Sequence, residues 1–334
     1  MSNRVKISVA VITYNQETTI AQTLDSILCQ QGDFDLELVI GEDCSTDNTW
    51  QICNDYAERY LDIVRLLPNT RNLGIMANYA RVIQVCTGDF ISDIAGDDYY
   101  SDNHALEKQM TYMQDHPNVG VMAANGYRYY VLRDKKVPGL NTPTEEGEDS
   151  AKQFFFSQNY RGGVYFVPVG MMYRASIMQY IDFDEIIRRN LPVEDYPMQA
   201  ILSQHTHFAC LSDLLVTYRI YRQSATFISF DSPKYMDYHR GLADTRRYLN
   251  ELFPDDACIT ESMLQEQLFY KEFLLYLHQW QYRAAKQLIA SAPDILRGGE
   301  KYMQAKRFTN SWLHFVASHI IKEYTYRKDF NQRI

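Results

Sequence analysis

The stretch Ile7-Ser-Val-Ala-Val-Ile-Thr-Tyr-Asn15 begins as an unbroken β-branched and small apolar run and turns polar over its last three residues. Such a run reads as a strand buried on both faces, because a half-exposed strand would alternate. Ile20, Leu24, Ile27 and Leu28 then recur at helical spacing. The pattern repeats in residues 36–40, a second strand ending at Glu42-Asp43, after which Ser45 is placed to cap a helix. That helix would carry Trp50, Cys53, Ala57 and Tyr60 on its apolar side. Residues 63–67 form a third strand, 78–85 lie in the following helix, and Phe90–Ala95 is a fourth strand ending at Gly96-Asp97-Asp98. Alternating strand and helix imply right-handed crossovers and an α/β fold with a mixed, mostly parallel sheet flanked by helices.

In such sheets ligands bind outside the carboxyl ends of the strands. Here the first, second and fourth strands end at Asn15, Glu42-Asp43 and Asp97-Asp98, so the ends converge on one acidic crevice. Clustered carboxylates repel one another unless a divalent cation such as Mg²⁺ or Mn²⁺ sits among them, and such a cation would hold a diphosphate. Neither G-x-G-x-x-G nor G-x-x-x-x-G-K-[ST] follows the first strand, which argues against NAD enzymes and P-loop NTPases. The 334 residues suggest two domains and carry a formal charge of −9, a poor basis for nucleic-acid binding.

The segments Val9-Ala-Val-Ile-Thr-Tyr-Asn, Glu42-Asp-Cys-Ser-Thr-Asp-Asn-Thr, Asn72-Leu-Gly, Gly88-Asp-Phe-Ile, Gly96-Asp-Asp-Tyr and Pro192-Val-Glu-Asp-Tyr-Pro occur in that order. Together they resemble the family-2 inverting glycosyltransferases of GT-A (Rossmann-like) fold. The resemblance implies a nucleotide-sugar donor, usually a UDP-sugar, and a divalent metal. By position, Tyr14 and Asp43 fall on residues that hold the base and ribose, with Thr13, Asn15 and Glu17 in the same nucleotide-sugar contact. Asp97 falls on the metal-binding carboxylate of the D-x-D pattern, and Asp98 beside it would line the donor-sugar side. Asp195 falls on the general base with Glu194 in support, and Arg81 falls near the donor. The sequence departs from the pattern at Ala95, where the first D-x-D carboxylate is replaced, and at Tyr221, where many relatives place a His near the metal. Cys44 stands where the family commonly has Gly.

The chemistry fits these residue types. Inverting transfer needs one base for the acceptor hydroxyl and positive charge for the departing diphosphate. The implied activity is non-processive transfer to a glycan or lipid-linked acceptor in cell-surface polysaccharide synthesis. A sugar-phosphate nucleotidyltransferase is a second reading, although its Gly-rich loop is missing after the first strand. A catalytically silent GT-A-fold scaffold is a third, because Ala95 and Tyr221 remove two candidate ligands.

The division expected is a transferase domain at 1–230, with a nucleotide-sugar half at 1–124 and an acceptor-side half at 125–230. An α-helical region at 231–334 follows. Leu264, Leu268, Lys271-Glu-Phe, Leu275 and His278 continue at helical spacing there, residues 284–289 make another stretch, and residues 302–324 resume the pattern after Pro293 and Gly298-Gly299. From Arg283 onward 10 basic residues face 4 acidic ones. This basic end offers peripheral membrane contact as an alternative to a solvated helix surface, and the helices offer homo-oligomerisation. With no signal-like start, no run of about eighteen apolar residues and no C-x-x-C pair, a cytoplasmic protein with reduced thiols is expected, with peripheral placement at the inner membrane face if the basic end binds there. Three further features have structural and functional readings side by side. His205 and His207 share a face of a strand over 206–211, residues 127–130 offer aromatic faces for sugar stacking, and Gly162-Gly163 reads as a turn into a strand that the resemblance places on the acceptor side.

Overall fold

A computed structural model describes residues 4–148, 150–157, 164–221, 230, 232–312 and 314–322. Its strands are β1 (Lys6–Thr13), β2 (Asp35–Glu42), β3 (Val64–Pro68), β4 (Phe90–Ala95), β5 (Tyr99–Tyr100), β6 (Val119–Tyr130), β7 (Lys135–Pro138), β8 (Met171–Arg174) and β9 (His207–Ile220). Its first seven helices are α1 (Ile20–Leu28), α2 (Thr49–Arg59), α3 (Ile75–Ile83), α4 (Ala105–Asp115), α5 (Ala151–Phe155), α6 (Phe183–Arg188) and α7 (Asp195–Leu202). The last four are α8 (Tyr235–Leu252), α9 (Glu261–His278), α10 (Tyr282–Ala290) and α11 (Glu300–Phe308). The chain divides into two compact units, one of Met1–Phe155 with Arg161–Arg219 and one of Phe156–Tyr160 with Ile220–Ile334.

In the first unit the sheet runs β3-β2-β1-β4-β8-β6-β9-β5, with β7 beside β6. β1 is central, and its residues from Ile7 to Val9 are fully buried because β2 and β4 flank it in parallel and helices cover both faces. Pairing turns antiparallel at β8, which registers Asp93 against Met171. The parallel register sets Thr13 opposite Glu42 and Ile12 opposite Ala95, so three strand ends lie side by side.

Several local expectations change. Ser45 does not cap α2, which starts at Thr49 after Asn48; the Asp47 carboxylate accepts the Thr49 N–H instead, at 3.0 Å. Trp50 is 41% exposed in the first turn, and Thr49 takes the buried place one turn from Cys53. The third helix spans Ile75–Ile83, starting just after Gly74, whose φ of 83° suits glycine. His205 lies in the turn before β9, not on the strand, and its ring stacks on Tyr180 with centroids 3.9 Å apart.

In the second unit α9 buries Leu264, Phe269, Phe273 and Leu277, while Leu268 and Leu275 are only partly covered. α9 is apolar on most of its circumference, so spacing alone permits either stripe. Phe269, Phe273 and Leu277 pack with Ala285, Ile289 and Tyr302. The helical pattern over 302–324 is broken after Phe308, and helix resumes by residue 314, where the Ser311 hydroxyl accepts the His314 N–H. No helix among the described residues is long and apolar enough to cross a membrane. Gly162-Gly163 and the last twelve residues of the basic end lie outside the described residues.

Close backbone approach fixes one glycine in the antiparallel half. A Cβ at Gly126 of β6 would lie 2.1 Å from the Val216 carbonyl oxygen of β9. Gly126→Ala must push the strands apart, an overpacking cost of about 1–3 kcal/mol. A melting temperature lower by roughly 3–10 °C is expected, and an unchanged one would show that the strands yield freely.

Candidate functional site

The first cluster forms at the ends of β1 and β2. Asn15 adopts φ 53° and Cys44 φ 60°, so both turns pass through the left-handed region, which glycine tolerates best. The Asn15 N–H donates to Ser45 Oγ at 2.9 Å, and Asn15 Oδ1 accepts the Thr46 N–H at 2.8 Å. Glu17 accepts the Asn48 backbone N–H at 3.0 Å and returns its own N–H to Asp47 at 3.2 Å. These bonds lace the 14–17 turn to the 44–48 turn, leaving Tyr14 45% exposed above them. Thr13 is buried and its hydroxyl donates to Gln16 Oε1 at 2.8 Å.

Glu42 and Asp43 are buried and occupied. Glu42 accepts the N–H groups of Cys44 and Ser45, at 3.2 and 2.8 Å. Asp43 accepts the N–H groups of Leu73 and Gly74 at 2.7 and 3.0 Å and the Asn69 amide at 2.8 Å. The Arg81 guanidinium is directed to the same loop, donating to Asn69 Oδ1 and to the Pro68 carbonyl at 3.2 Å. The convergence of acidic strand ends is therefore not a ready cage for a cation. Among the described residues no group of three His, Cys, Asp or Glu side chains is gathered that could hold a metal.

The second cluster is the turn after β4. A Cβ on Gly96 would sit 2.7 Å from Thr13 Oγ1, so a glycine lets the turn close over the end of β1. Asp98 is buried and accepts the Arg219 backbone N–H at 2.7 Å. Burial pushes its carboxyl well above the usual range, the neighbouring Asp97 charge adds to this, and Arg219 opposes it. The Arg219 guanidinium donates to the Asp97 carbonyl and to Gln22 Oε1, and lies 4.7 Å from the centre of the Tyr99 ring. Asp97 keeps a partly exposed side chain. One hard carboxylate suits Mg²⁺ or Mn²⁺, which commonly take one or two protein carboxylates and draw other oxygens from water and phosphate.

The third cluster is a pocket between β1, β4, β8, α3 and α7. Ala10, Ile12, Asp93 and Ala95 form its strand wall; Tyr79, Tyr173, Glu194, Asp195 and Met198 close it. Glu194 precedes α7 and Asp195 is its first residue, with Asp195 Oδ1 accepting the Tyr196 N–H at 2.6 Å. Gln199 fixes this helix, because its amide accepts the Tyr165 and Phe166 N–H groups and donates to the Phe166 carbonyl at 2.8 Å. Burial pushes the Asp195 carboxyl up to about 6, against the backbone N–H of Tyr196. Burial, then the Asp195 charge, pushes Glu194 up to about 8. Asp93 is also driven up to about 7 by burial, with the Tyr79 and Tyr173 hydroxyls opposing and the Asp195 charge adding.

Asp93, Tyr79, Tyr173, Gln199 and Arg219 also stand at the candidate site, and sequence reasoning did not single them out. Asp93 had a legible signal, a lone acid inside the apolar strand Phe90–Ala95. The tyrosines near residue 127 are partly exposed and lie on an edge-paired strand beside a lysine. Lys136 Nζ lies 5.8 Å from the Tyr127 and Tyr129 ring centres and 5.0 Å from that of Tyr99.

The family model for glycosyl transferase family 2 matches residues 8–181. The putative glycosyltransferase EpsE of Bacillus subtilis is 35% identical over 122 residues, 36% of this chain and 43% of that one. The chain spans about a third of the length of the first curated relatives it matches. Among solved structures, S. aureus TarS 1–349 in complex with UDP-GlcNAc superposes with a TM-score of 0.57 and 16% identity, covering 97% of this chain and 92% of that one. The mannosyltransferase PcManGT from Pyrobaculum calidifontis, in complex with GDP-Man and Mn²⁺, gives a TM-score of 0.52 and 14% identity over 96% and 87%. At such identities the likeness shows the fold, the GT-A arrangement expected from the sequence.

Asp43 makes a stability prediction. Asp43→Ala leaves the Leu73 N–H without its acceptor and the Gly74 N–H with Asn72 Oδ1 alone, and should cost about 1–3 kcal/mol. Chemical denaturation reads this directly, and limited proteolysis should cut first near residues 69–74. An unmoved midpoint would mean that the loop is held by other contacts.

Proposed function

The chain belongs to glycosyl transferase family 2, and from that premise we propose that it transfers a sugar with inversion from a nucleotide-sugar, a UDP-sugar by preference, to an acceptor hydroxyl. The acceptor class is a glycan or lipid-linked glycan of cell-surface polysaccharide synthesis, and one sugar is added per binding event. The observation that carries this reading is Asp195 at the start of α7, lining a pocket at the carboxyl-end region of β1 and β4. TarS with UDP-GlcNAc and PcManGT with GDP-Man support donors of this class.

The residues divide the work. Tyr14, exposed above the laced turns, stacks on or beside the base, while Thr13, Asn15, Glu17 and Asp43 shape the turn and loop that receive the nucleotide. Arg81 acts through Asn69 on that same loop. Asp97 would hold Mn²⁺ or Mg²⁺ on the diphosphate, and a cation there supplies positive charge to the departing nucleoside diphosphate. Asp98 and Arg219 keep the Asp97 turn in place from below. Asp195 takes the proton of the acceptor hydroxyl as that oxygen attacks the anomeric carbon, and Glu194 supports it from the position just before α7.

The direction of the pH dependence follows from the raised carboxyl. Asp195 works as a base only when ionised, and burial places that ionisation at about 6. Below that pH kcat/KM should fall about tenfold per unit, and above it the limb should flatten. Asp195→Asn should lower kcat by about 10²-fold or more while nucleotide-sugar affinity, read by calorimetry, stays within about twofold. Retained turnover in the variant would remove Asp195 from the role. Release of UDP with acceptor, against pyrophosphate from a nucleoside triphosphate, separates transfer from nucleotidyl chemistry.

A further inference from the structure

Asp93 is a buried acid to which the mechanism above gives no work. It is 8% exposed and stands on β4 with its side chain in the pocket that holds Glu194 and Asp195. One oxygen, Oδ2, accepts the Tyr79 hydroxyl at 2.8 Å. The other, Oδ1, is wholly buried and makes no hydrogen bond of good geometry, although the Tyr173 hydroxyl also bears on this carboxyl. Buried polar atoms are nearly always paired, and one aimed into a pocket marks the place of a missing donor.

The surroundings narrow what that donor is. The pocket lining contains no Lys, Arg or His, so the protein offers no cation to satisfy the oxygen. No three-residue metal group is gathered among the described residues, so a chelated cation is not indicated either. Beside the Tyr79 and Tyr173 phenols and the acids, the walls are aliphatic or small, with Ala10, Ile12, Ala95 and Met198 giving shape without polarity. A small polyol fits such a lining, its ring against the apolar wall and a hydroxyl toward the acid. The strand supplies the direction, because Asp93 and Ala95 face the same side two residues apart and the Asp97 turn follows. A diphosphate held at Asp97 would therefore direct its attached sugar toward Asp93.

We propose that Asp93 Oδ1 accepts a hydrogen bond from a hydroxyl of the donor's transferred sugar, making Asp93 a specificity-determining contact held in place by Tyr79. Ala95 leaves room for the sugar beside it. The inference rests on the transferase reading, and it concerns which sugar is selected rather than which group removes the proton. A site that hydrogen-bonds a hydroxyl rejects the analogue lacking it far more strongly than an apolar pocket does.

Calorimetry on the full chain with Mn²⁺ tests this, using UDP, UDP-glucose, UDP-N-acetylglucosamine and GDP-mannose as probes. Asp93→Ala should weaken the preferred nucleotide-sugar about tenfold while UDP alone binds within about twofold of wild type. Monodeoxygenated forms of that nucleotide-sugar, titrated against the unmodified protein, keep the test independent of how the variant folds. One of them should lose about the same tenfold, and the same deletion should cost nothing further in Asp93→Ala. Equal weakening of UDP and nucleotide-sugar, additive losses, or no loss at all would overturn the contact. If the unmodified protein binds none of the nucleotide-sugars, the transferase reading itself fails, which is distinct from a wild type that binds while Asp93 stays silent.

Discussion

A carboxylate removed from water must find donors, and that requirement organises the edge of the sheet. Glu42, Asp43 and Asp98 are all buried, and each meets it with backbone N–H groups, from Cys44 and Ser45, from Leu73 and Gly74, and from Arg219. Glu42 thereby closes its own turn, while Asp43 and Asp98 tie their strand ends to pieces of chain distant in sequence. The most distant tie joins Asp98 to Arg219 across 121 positions and sets the turn that carries Asp97. Acids that meet the requirement in this way are architecture. Those that meet it only in part, Asp93 above all, are the ones left with capacity for a ligand.

This distinction separates what the sequence discloses from what it hides. The α/β order, the parallel pairing of the first strands and the side-by-side strand ends were legible, because burial on both faces leaves an apolar run that polar turns interrupt. The types of the candidate residues were legible too. Their loyalties were not. Asp43 and Asp97 look alike as letters, yet one is buried against the loop at 69–74 and the other has a partly exposed side chain. Hydrogen bonds to backbone N–H groups leave no trace in a residue's identity, so an anchoring acid and a ligand-binding acid read the same.

Smaller misreadings have the same origin. Ser45 has the composition of a helix cap but serves as acceptor for the Asn15 N–H, because the neighbouring turn reaches it first. α9 offers two apolar stripes, and only the partners Ala285, Ile289 and Tyr302 select the one through Phe269 and Phe273. Of the two readings of the tyrosines near residue 127, the amphipathic strand is the one found, with Lys136 of the antiparallel partner strand beside the Tyr127 and Tyr129 rings. In each case a tertiary neighbour decides between choices that local pattern leaves equal.

The lacing of the 14–17 turn to the 44–48 turn has a kinetic consequence. Asn15, Glu17, Ser45 and Asp47 already satisfy one another, so the mouth formed by these turns is ordered before any ligand arrives. For a nucleotide received there as proposed, capture would follow encounter without waiting for these segments to rearrange, and little chain entropy would be lost at that moment. Ligands that dwell for different times at this mouth will therefore differ chiefly in how fast they leave.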